Sequence, residues 1–436
     1  MEWWLVILII FGSLILLMAT GMPIAIAFLV VTIGGAMLLW GGETGLRQLI
    51  LNIRDSVTSF ILLPVPLFIL MGELMFRSGI APNMINALEK WLGRVPGRLS
   101  ILAVAAGVLF STMSGASIAS TAMLGELMVP EMEKKGYKKA MSLGPILGSG
   151  GLSMMIPPSA MAIVMGAVAE VSIGKLLIAI IIPGLLMAAL YAVYIVIRCL
   201  LQPSLAPPYD VPPSRLSDKV IDTLRYIVPL VFIIFLVVGV ILLGIASPTE
   251  AAASGTLGTF ILAAAYGKLN WETVKKSFLS ATEISVMILL IIVTSNTFSQ
   301  ILAFSGSSSG LIDFFLRLPV PAIGILIGMQ VVLLVLGMFV SLVATIFIAA
   351  PVFMPVIQAL GFDPIWFCVL FLINGEMGGT TPPFGVLLFA AQGVIPGATL
   401  EDCTKAALPF LYCDAIAIIL IIVFPSLALW LPGLMH

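Results

Sequence analysis

A constant offset of 225 residues brings the helix-breaking residues of this chain into register with one another. Pro23 falls on Pro248, Pro96 on Pro321 and Pro130 on Pro355. Gly136 falls on Gly361, Gly150 on Gly375, and the pair Pro157-Pro158 on Pro382-Pro383. Side-chain identity between the halves is otherwise low. What recurs is the punctuation of the backbone. Proline removes an amide donor and ends or kinks a helix, and glycine permits turns and close approaches. A shared pattern of both implies one architecture written twice, with halves 1–210 and 211–436.

The solvent of that architecture follows from charge. Of 436 residues, 61% are hydrophobic and 9% charged, with a mean hydropathy of +1.21. Soluble chains carry about 25% charged residues, so most of this surface must face a lipid bilayer. A formal net charge of −1 leaves no basic face for nucleic acid. Cys199, Cys368, Cys403 and Cys413 lack metal-binding spacing and read as packing residues. The single histidine is His436, which excludes a histidine-based triad or zinc site. No Lys or Arg precedes Arg47, so the first twenty residues read as a mature membrane helix and not as a signal peptide.

Apolar runs long enough to cross a bilayer fall at 3–20, 24–40, 59–76, 139–172 and 175–198, then at 226–245, 249–267, 280–304, 365–395 and 406–432. That gives about ten spanning helices. The over-long runs 139–172 and 365–395 hold the Gly-rich and Pro-Pro stretches and are expected to be broken helices. Segments 99–130 and 322–355 are too long for one span and too short for two. Arg77, Lys90, Arg94 and Arg98 precede the first, and Lys134, Lys135, Lys138 and Lys139 follow it. Basic flanks stay cytoplasmic, so this segment is expected to leave and return on one side as a re-entrant hairpin. The second segment has almost uncharged flanks and is expected to return on the periplasmic side. Five spans precede the repeat boundary, which inverts the second half. The 41–58 segment, with Arg47 and Arg54, is expected as an outside loop.

Irregular backbone at membrane depth survives only inside protein or beside a wet cavity. Four such places are expected: the two hairpin tips, and two breaks at 148–153 and 374–381. Unwound Gly and Ser backbone offers carbonyl oxygens, Ser and Thr add hydroxyls, and a hard cation such as Na+ takes oxygen ligands. One ion site is expected from Ser114, Gly115, Ser117, Ser149, Gly150 and Gly151. A second is expected from Ser341, Val343, Thr345, Glu376, Gly378 and Gly379, with Thr380 and Thr381 beside it. Glu376, the one acid in these four places, is expected to orient backbone amides or sit at the cavity edge. Isolated glycines would simply allow close helix packing; the runs abutting Pro-Pro are expected to coordinate ions. No phosphate-binding GxxxxGK[ST] motif is present in the sequence.

Ser114-Gly115-Ala116-Ser117, Gly148-Ser149-Gly150-Gly151 with Pro157-Pro158-Ser159, and Asn374-Gly375-Glu376 with Thr381-Pro382-Pro383 resemble the large (DctM/SiaM-type, M) subunit of tripartite ATP-independent periplasmic (TRAP) transporters. So do Gly21-Met22-Pro23 and Pro248-Thr249-Glu250-Ala251-Ala252. The resemblance runs through nearly the whole chain. It implies an all-α polytopic inner-membrane protein of inverted-repeat, elevator type. A transport domain from 99–172 and 322–395 would slide against a scaffold of the remaining helices. It also implies Na+ coupling, a separate four-helix (Q-type) membrane subunit and a periplasmic (P-type) binding protein delivering a carboxylate of the C4-dicarboxylate or sialic acid class. The substrate carboxylate is then expected near Ser153, Thr380 and Thr381, at half-helix N-termini. Two other classes stand beside this one. They are a stand-alone sodium/carboxylate symporter of the same architecture, and, more remotely, an intramembrane enzyme.

Overall fold

The computed structural model describes residues 2–93, 95–114, 117–209 and 215–435. The described residues form helices and no strand. The first half runs α1 (Trp3–Ala19), α2 (Ile24–Leu39), α3 (Glu43–Val57), α4 (Pro64–Arg77), α5 (Ala81–Trp91), α6 (Arg98–Ser114), α7 (Ser117–Lys134), α8 (Lys139–Gly151), α9 (Ala160–Val168), α10 (Ile173–Ala179) and α11 (Ile181–Leu201). The second half runs α12 (Leu216–Asp222), α13 (Val228–Ile234), α14 (Val240–Leu242), α15 (Pro248–Ala265), α16 (Trp271–Phe304), α17 (Ser307–Arg317), α18 (Ala322–Phe339), α19 (Leu342–Ala359), α20 (Pro364–Thr380), α21 (Val386–Val394), α22 (Leu400–Val423) and α23 (Ser426–Leu429). Two π-helical turns join α12 through α14.

The 225-residue offset recurs in these elements. Helices α5 to α9 start within one residue of α17 to α21, and α7 and α19 correspond at both ends. The peptide bonds Pro157-Pro158 and Pro382-Pro383 are both cis. The halves differ where α16 runs unbroken for 34 residues, because its counterpart is split by a 3-10 turn at Phe60–Leu62 into α3 and α4. Residues 41–58, expected as a loop, hold the amphipathic helix α3. Its Glu43 and Arg47 pair at 2.7 Å one turn apart, and its basic residues fit a helix lying at an interface.

Short polar residues set where helices begin. Asp363 accepts hydrogen bonds from Ile365 N and Trp366 N at the start of α20, ahead of Pro364. Ser341 accepts from Ala344 N to start α19, and Ser159 accepts from Ala162 N to start α9 after the double proline. Ser247 with Glu250, and Thr399 with Asp402, form capping boxes on α15 and α22. Each such cap stabilises its helix by about 1 kcal/mol.

Among the described residues, seven helical stretches are long and apolar enough to cross a membrane. The expectation of about ten spans also counted α1 and α2, at 17 and 16 residues, α15 and the two interrupted pairs α8–α9 and α20–α21, and it left out α18 and α19 as a hairpin, which the seven include. Each helix of the second hairpin is 18 residues long, so length alone does not separate a return from a crossing. All four cysteines are buried and unpaired.

The breaks lie further along than the sequence suggested. Gly148 to Gly151 are the last turn of α8, and Asn374 to Thr380 the last two turns of α20. The irregular stretches begin only at Leu152 and Thr381. Glycine costs roughly 1 kcal/mol in a helix interior, but packing outweighs that here. A Cβ on Gly148 would stand 2.6 Å from the Phe410 ring, and one on Gly375 would stand 2.1 Å from Leu342 Cδ1. These glycines let helices approach closely; they do not unwind the backbone.

Candidate functional site

The first tip, the end of α8 and the end of α20 converge. Ser117, the first residue of α7, shares a 2.9 Å hydrogen bond with Ser153 and donates at 3.3 Å to Glu376 Oε2. All three side chains are buried, Glu376 with 2% exposure. Gly151 makes room for the carboxylate, since an added Cβ would lie 2.7 Å from Glu376 Cγ and 2.9 Å from Oε1. A Cβ on Gly150 would lie 1.9 Å from Thr121 Oγ1 and 3.5 Å from the Ser117 carbonyl oxygen.

Glu376 therefore belongs to the first junction, although its sequence position grouped it with the second hairpin. It stands against Gly151, its own counterpart at the 225-residue offset, and crosses to the other half of the repeat. It accepts from a hydroxyl and orients no backbone amide. Of the other residues expected around the first site, Ser149 donates at 3.4 Å to Ile146 O of its own helix. The Ser114 side chain and the whole of Gly115 lie outside the described residues.

At the second junction, Gly337 of α18 meets Gly378 of α20 backbone to backbone; a Cβ on Gly378 would lie 2.6 Å from Gly337 Cα. Ser341 is exposed and its carbonyl accepts from Thr345 Oγ1 at 3.1 Å. Val343 is half-buried among apolar neighbours, and Gly379 makes only an ordinary 3.8 Å contact with Leu387. Thr380 and Thr381 donate back to Met377 O at 3.1 and 2.5 Å.

Three contributors are absent from the residues expected from sequence. Thr121, one turn beyond Ser117, has a buried hydroxyl without a partner; its i+4 spacing was the available signal. Gln330 accepts from Asn374 Nδ2 at 2.9 Å and ties α18 to α20. Asp414 of α22, 3% exposed, accepts from the Tyr191 hydroxyl of α11. Glu376 and Asp414 line one small cavity of ≈ 10 Å³, with Thr380 and Phe410. A water needs about 10–15 Å³, so this cavity excludes an organic acid. The larger cleft, of ≈ 1000 Å³, lies between α3, the α9–α10 turn and α15–α16, with Asn52, Ser172, Ser247, Asn296 and Gln300 on its wall. Neither cavity has Ser153 or Thr381 on its wall.

A fold of this kind, with polar residues sequestered where helix ends meet inside an apolar protein, defines a multi-pass membrane permease. Comparison with known proteins makes the assignment particular. The profile of the family described as "Tripartite ATP-independent periplasmic transporter, DctM component" matches residues 11–427. The large permease protein TeaC of an ectoine TRAP transporter from Halomonas elongata is 31% identical over 97% of this chain and 98% of its own. DctM of a C4-dicarboxylate TRAP transporter from Pseudomonas aeruginosa is 31% identical over 92% of each. SiaM of a sialic acid TRAP transporter from Vibrio cholerae is 30% identical over 98% of each. The crystal structure of the YdaH transporter of Alcanivorax borkumensis shares the fold, with a TM-score of 0.63, 17% identity, and 90% and 91% of the two chains covered. This chain belongs to the DctM family of TRAP transporter large permeases. It is a transport protein and not an enzyme.

Proposed function

We propose that the chain is the sodium-coupled membrane core of a tripartite uptake system for a small organic carboxylate in a bacterial inner membrane. A periplasmic binding protein would deliver the substrate, and a four-helix subunit would complete the membrane part. The observation that carries this is the buried junction of Ser117, Ser153 and Glu376, which joins a hairpin tip to both broken helices. Buried oxygens at Thr121 Oγ1 and Glu376 Oε1 lack partners, and the Ser117 carbonyl lies beside Gly150. An oxygen-seeking cation fits such a set, and unsatisfied buried oxygens are otherwise costly. C4-dicarboxylate, sialic acid and ectoine, named for the relatives, are all carboxylic acids.

Transport would proceed by sliding of a mobile unit made from 99–172 and 322–395. We add α11 and α22 to that unit. Phe410 of α22 lies against Gly144 and Gly148 of α8, Lys139 pairs with Asp402 at 2.7 Å, and Tyr191 bonds Asp414. These ties hold α22 to α8 and α11 to α22. The ≈ 10 Å³ cavity beside Glu376 leaves the core closed to substrate in this conformation, so movement must precede binding near Ser153, Thr380 and Thr381. Each charge moved across the membrane is worth about 2.3 kcal/mol per 100 mV. Two or more sodium ions per singly charged carboxylate would thus draw on voltage as well as gradient. Family membership favours the tripartite arrangement over a stand-alone symporter. One relative, the isethionate permease DctMQ of Oleidesulfovibrio alaskensis, is longer, this chain covering 66% of it; we assign the small subunit here to a separate chain.

The test is uptake in proteoliposomes holding this chain and its small partner, with the binding protein outside. Uptake should require an inward Na+ gradient, rise with an inside-negative potential and vanish when K+ replaces Na+. Equal uptake under all three conditions would refute sodium coupling.

A further inference from the structure

We propose that the cavity between the start of α6, the end of α11 and the 203–209 linker binds a phosphate oxyanion, carried by an anionic phospholipid of the cytoplasmic leaflet. This cavity of ≈ 530 Å³ has Gly93, Pro96, Arg98, Tyr137, Cys199 and Tyr209 on its wall. None of these residues belongs to the junctions around Glu376. The volume is that of a small-ligand pocket, about 300–1,000 Å³. Arg98 is the one charged residue among the described residues of the wall, and it is 5% exposed. Its Nη2 is committed, donating to Glu89 O at 2.6 Å and lying 3.5 Å from the Glu89 carboxylate. Its Nε and Nη1 are buried and have no hydrogen-bond partner. Buried donors left unpaired on a cation cost free energy, and an oxyanion supplies the acceptors that the protein does not.

Two further features bring positive charge to the same place. Arg98 is the first residue of the 17-residue helix α6. Gly97 before it, at φ +69°, has no side chain to cap the free amides, so the positive end of the helix dipole meets the cavity wall. Lys135 Nζ lies 4.2 Å from the ring centroid of Tyr209, and the Arg98 guanidinium carbon 5.6 Å from the same centroid. Glu89 and Glu131 offset part of this charge, Glu131 through a 3.0 Å pair with Lys135. Neither acid is on the wall, and neither bonds Nε or Nη1. The rim identifies the source of the phosphate. Val95 and Leu200 are exposed residues of the wall, and Ile197 and Leu201 extend this apolar surface along the end of α11. Acyl chains can lie on such a surface, whereas a soluble phosphate gains nothing from it. The basic flanks of 99–130 assign this end to the cytoplasm, whose leaflet carries the anionic lipids. A headgroup there would join the first hairpin to the linker between the repeats, which Lys138 N already holds through Leu205 O at 2.9 Å.

The test uses the purified full chain in detergent and needs no transport. Thermal unfolding midpoints are followed while phosphatidylglycerol, phosphatidylcholine or inorganic phosphate is added. Wild type should gain several degrees with phosphatidylglycerol and show no comparable gain with the other two. Arg98→Gln should lose the gain. Lys135→Gln changes a partly exposed side chain. It should raise the phosphatidylglycerol concentration for half the gain about fivefold, the effect of one basic residue near an anionic lipid surface. Should Arg98→Gln fail to fold, Lys135→Gln decides the matter. A wild-type titration curve in either variant overturns the site. An equal gain with phosphatidylcholine shows a general lipid effect and overturns it too. An equal gain with inorganic phosphate overturns the assignment to lipid.

Discussion

Gly151 and Glu376 occupy equivalent positions in the two repeats and touch each other, with an added Gly151 Cβ falling 2.7 Å from Glu376 Cγ. Positions that are equivalent under an approximate two-fold and also in contact must lie beside its axis. The repeats therefore meet here, and they meet with unlike chemistry. One half supplies space and the other a carboxylate. Glu at both positions would press two acids together in the interior, so the symmetry is broken where the charge sits.

Ser117 and Ser149 are both candidates from sequence, and the structure ranks them. The Ser117 hydroxyl bonds Glu376 and Ser153, whereas the Ser149 hydroxyl bonds a carbonyl of its own helix. Leaving a buried charged partner unpaired costs about 1–3 kcal/mol. Ser117→Ala is expected to raise the Na+ concentration for half-maximal uptake about tenfold, and Ser149→Ala to leave it nearly unchanged. Equal shifts in the two variants would contradict the ranking.

Gly150→Ala reverses the usual sign of a glycine substitution. Alanine ordinarily stabilises a helix interior by ~1 kcal/mol, but here its Cβ would stand 1.9 Å from Thr121 Oγ1. A loss of about 1–3 kcal/mol from overpacking is expected. Removing that oxygen with Thr121→Ala should restore most of it. A double-mutant cycle on thermal unfolding midpoints reads the coupling, and strictly additive losses would show that the two side chains do not meet.

Phe410 is fully buried and fills the grooves that Gly144 and Gly148 leave on α8. Truncation to alanine is expected to cost about 3–5 kcal/mol and to loosen α22 from α8. A detergent thermal-shift assay should show a drop of several degrees that Na+ only partly recovers. A midpoint within experimental error of wild type would remove α22 from the proposed mobile unit.

Lys134 and Ala359, the last residues of α7 and α19, are equivalent at the 225-residue offset and exposed. If the repeats are inverted, these residues lie on opposite sides of the membrane. Single cysteines there, in a background without the four buried native cysteines, should react with an impermeant maleimide from opposite faces. Reaction from the same face would refute inversion and the paired return of the hairpins.

Residues that act on their own backbone were legible in the sequence. Pro157-Pro158 and Pro382-Pro383 mark element boundaries by local sterics, so the spacing of such residues carried the repeat and the order of helices. The Gly148–Gly151 run was misjudged as unwound because glycine's local preference is worth only about 1 kcal/mol, and contacts with Phe410, Thr121 and Glu376 decide its conformation. Tyr191 and Asp414 lie 223 residues apart, and no periodicity on either helix announces that they meet. The orientation of Glu376 toward the first repeat was hidden for the same reason: register places a residue along its helix, while packing decides which neighbour it faces.

Sliding of the hairpins and broken helices past the surrounding helices is the centre of this account. Phe28 of α2 and Phe347 of α19 meet across the proposed sliding surface, with ring centroids 6.5 Å apart. Cysteines at both positions, joined by a short bifunctional thiol reagent in the reconstituted complex, test it directly. The account predicts that joined protein takes up no substrate, and that reductive cleavage of the link restores uptake. Full uptake by quantitatively joined protein would show that α2 and α19 need not move apart, and would contradict the mechanism.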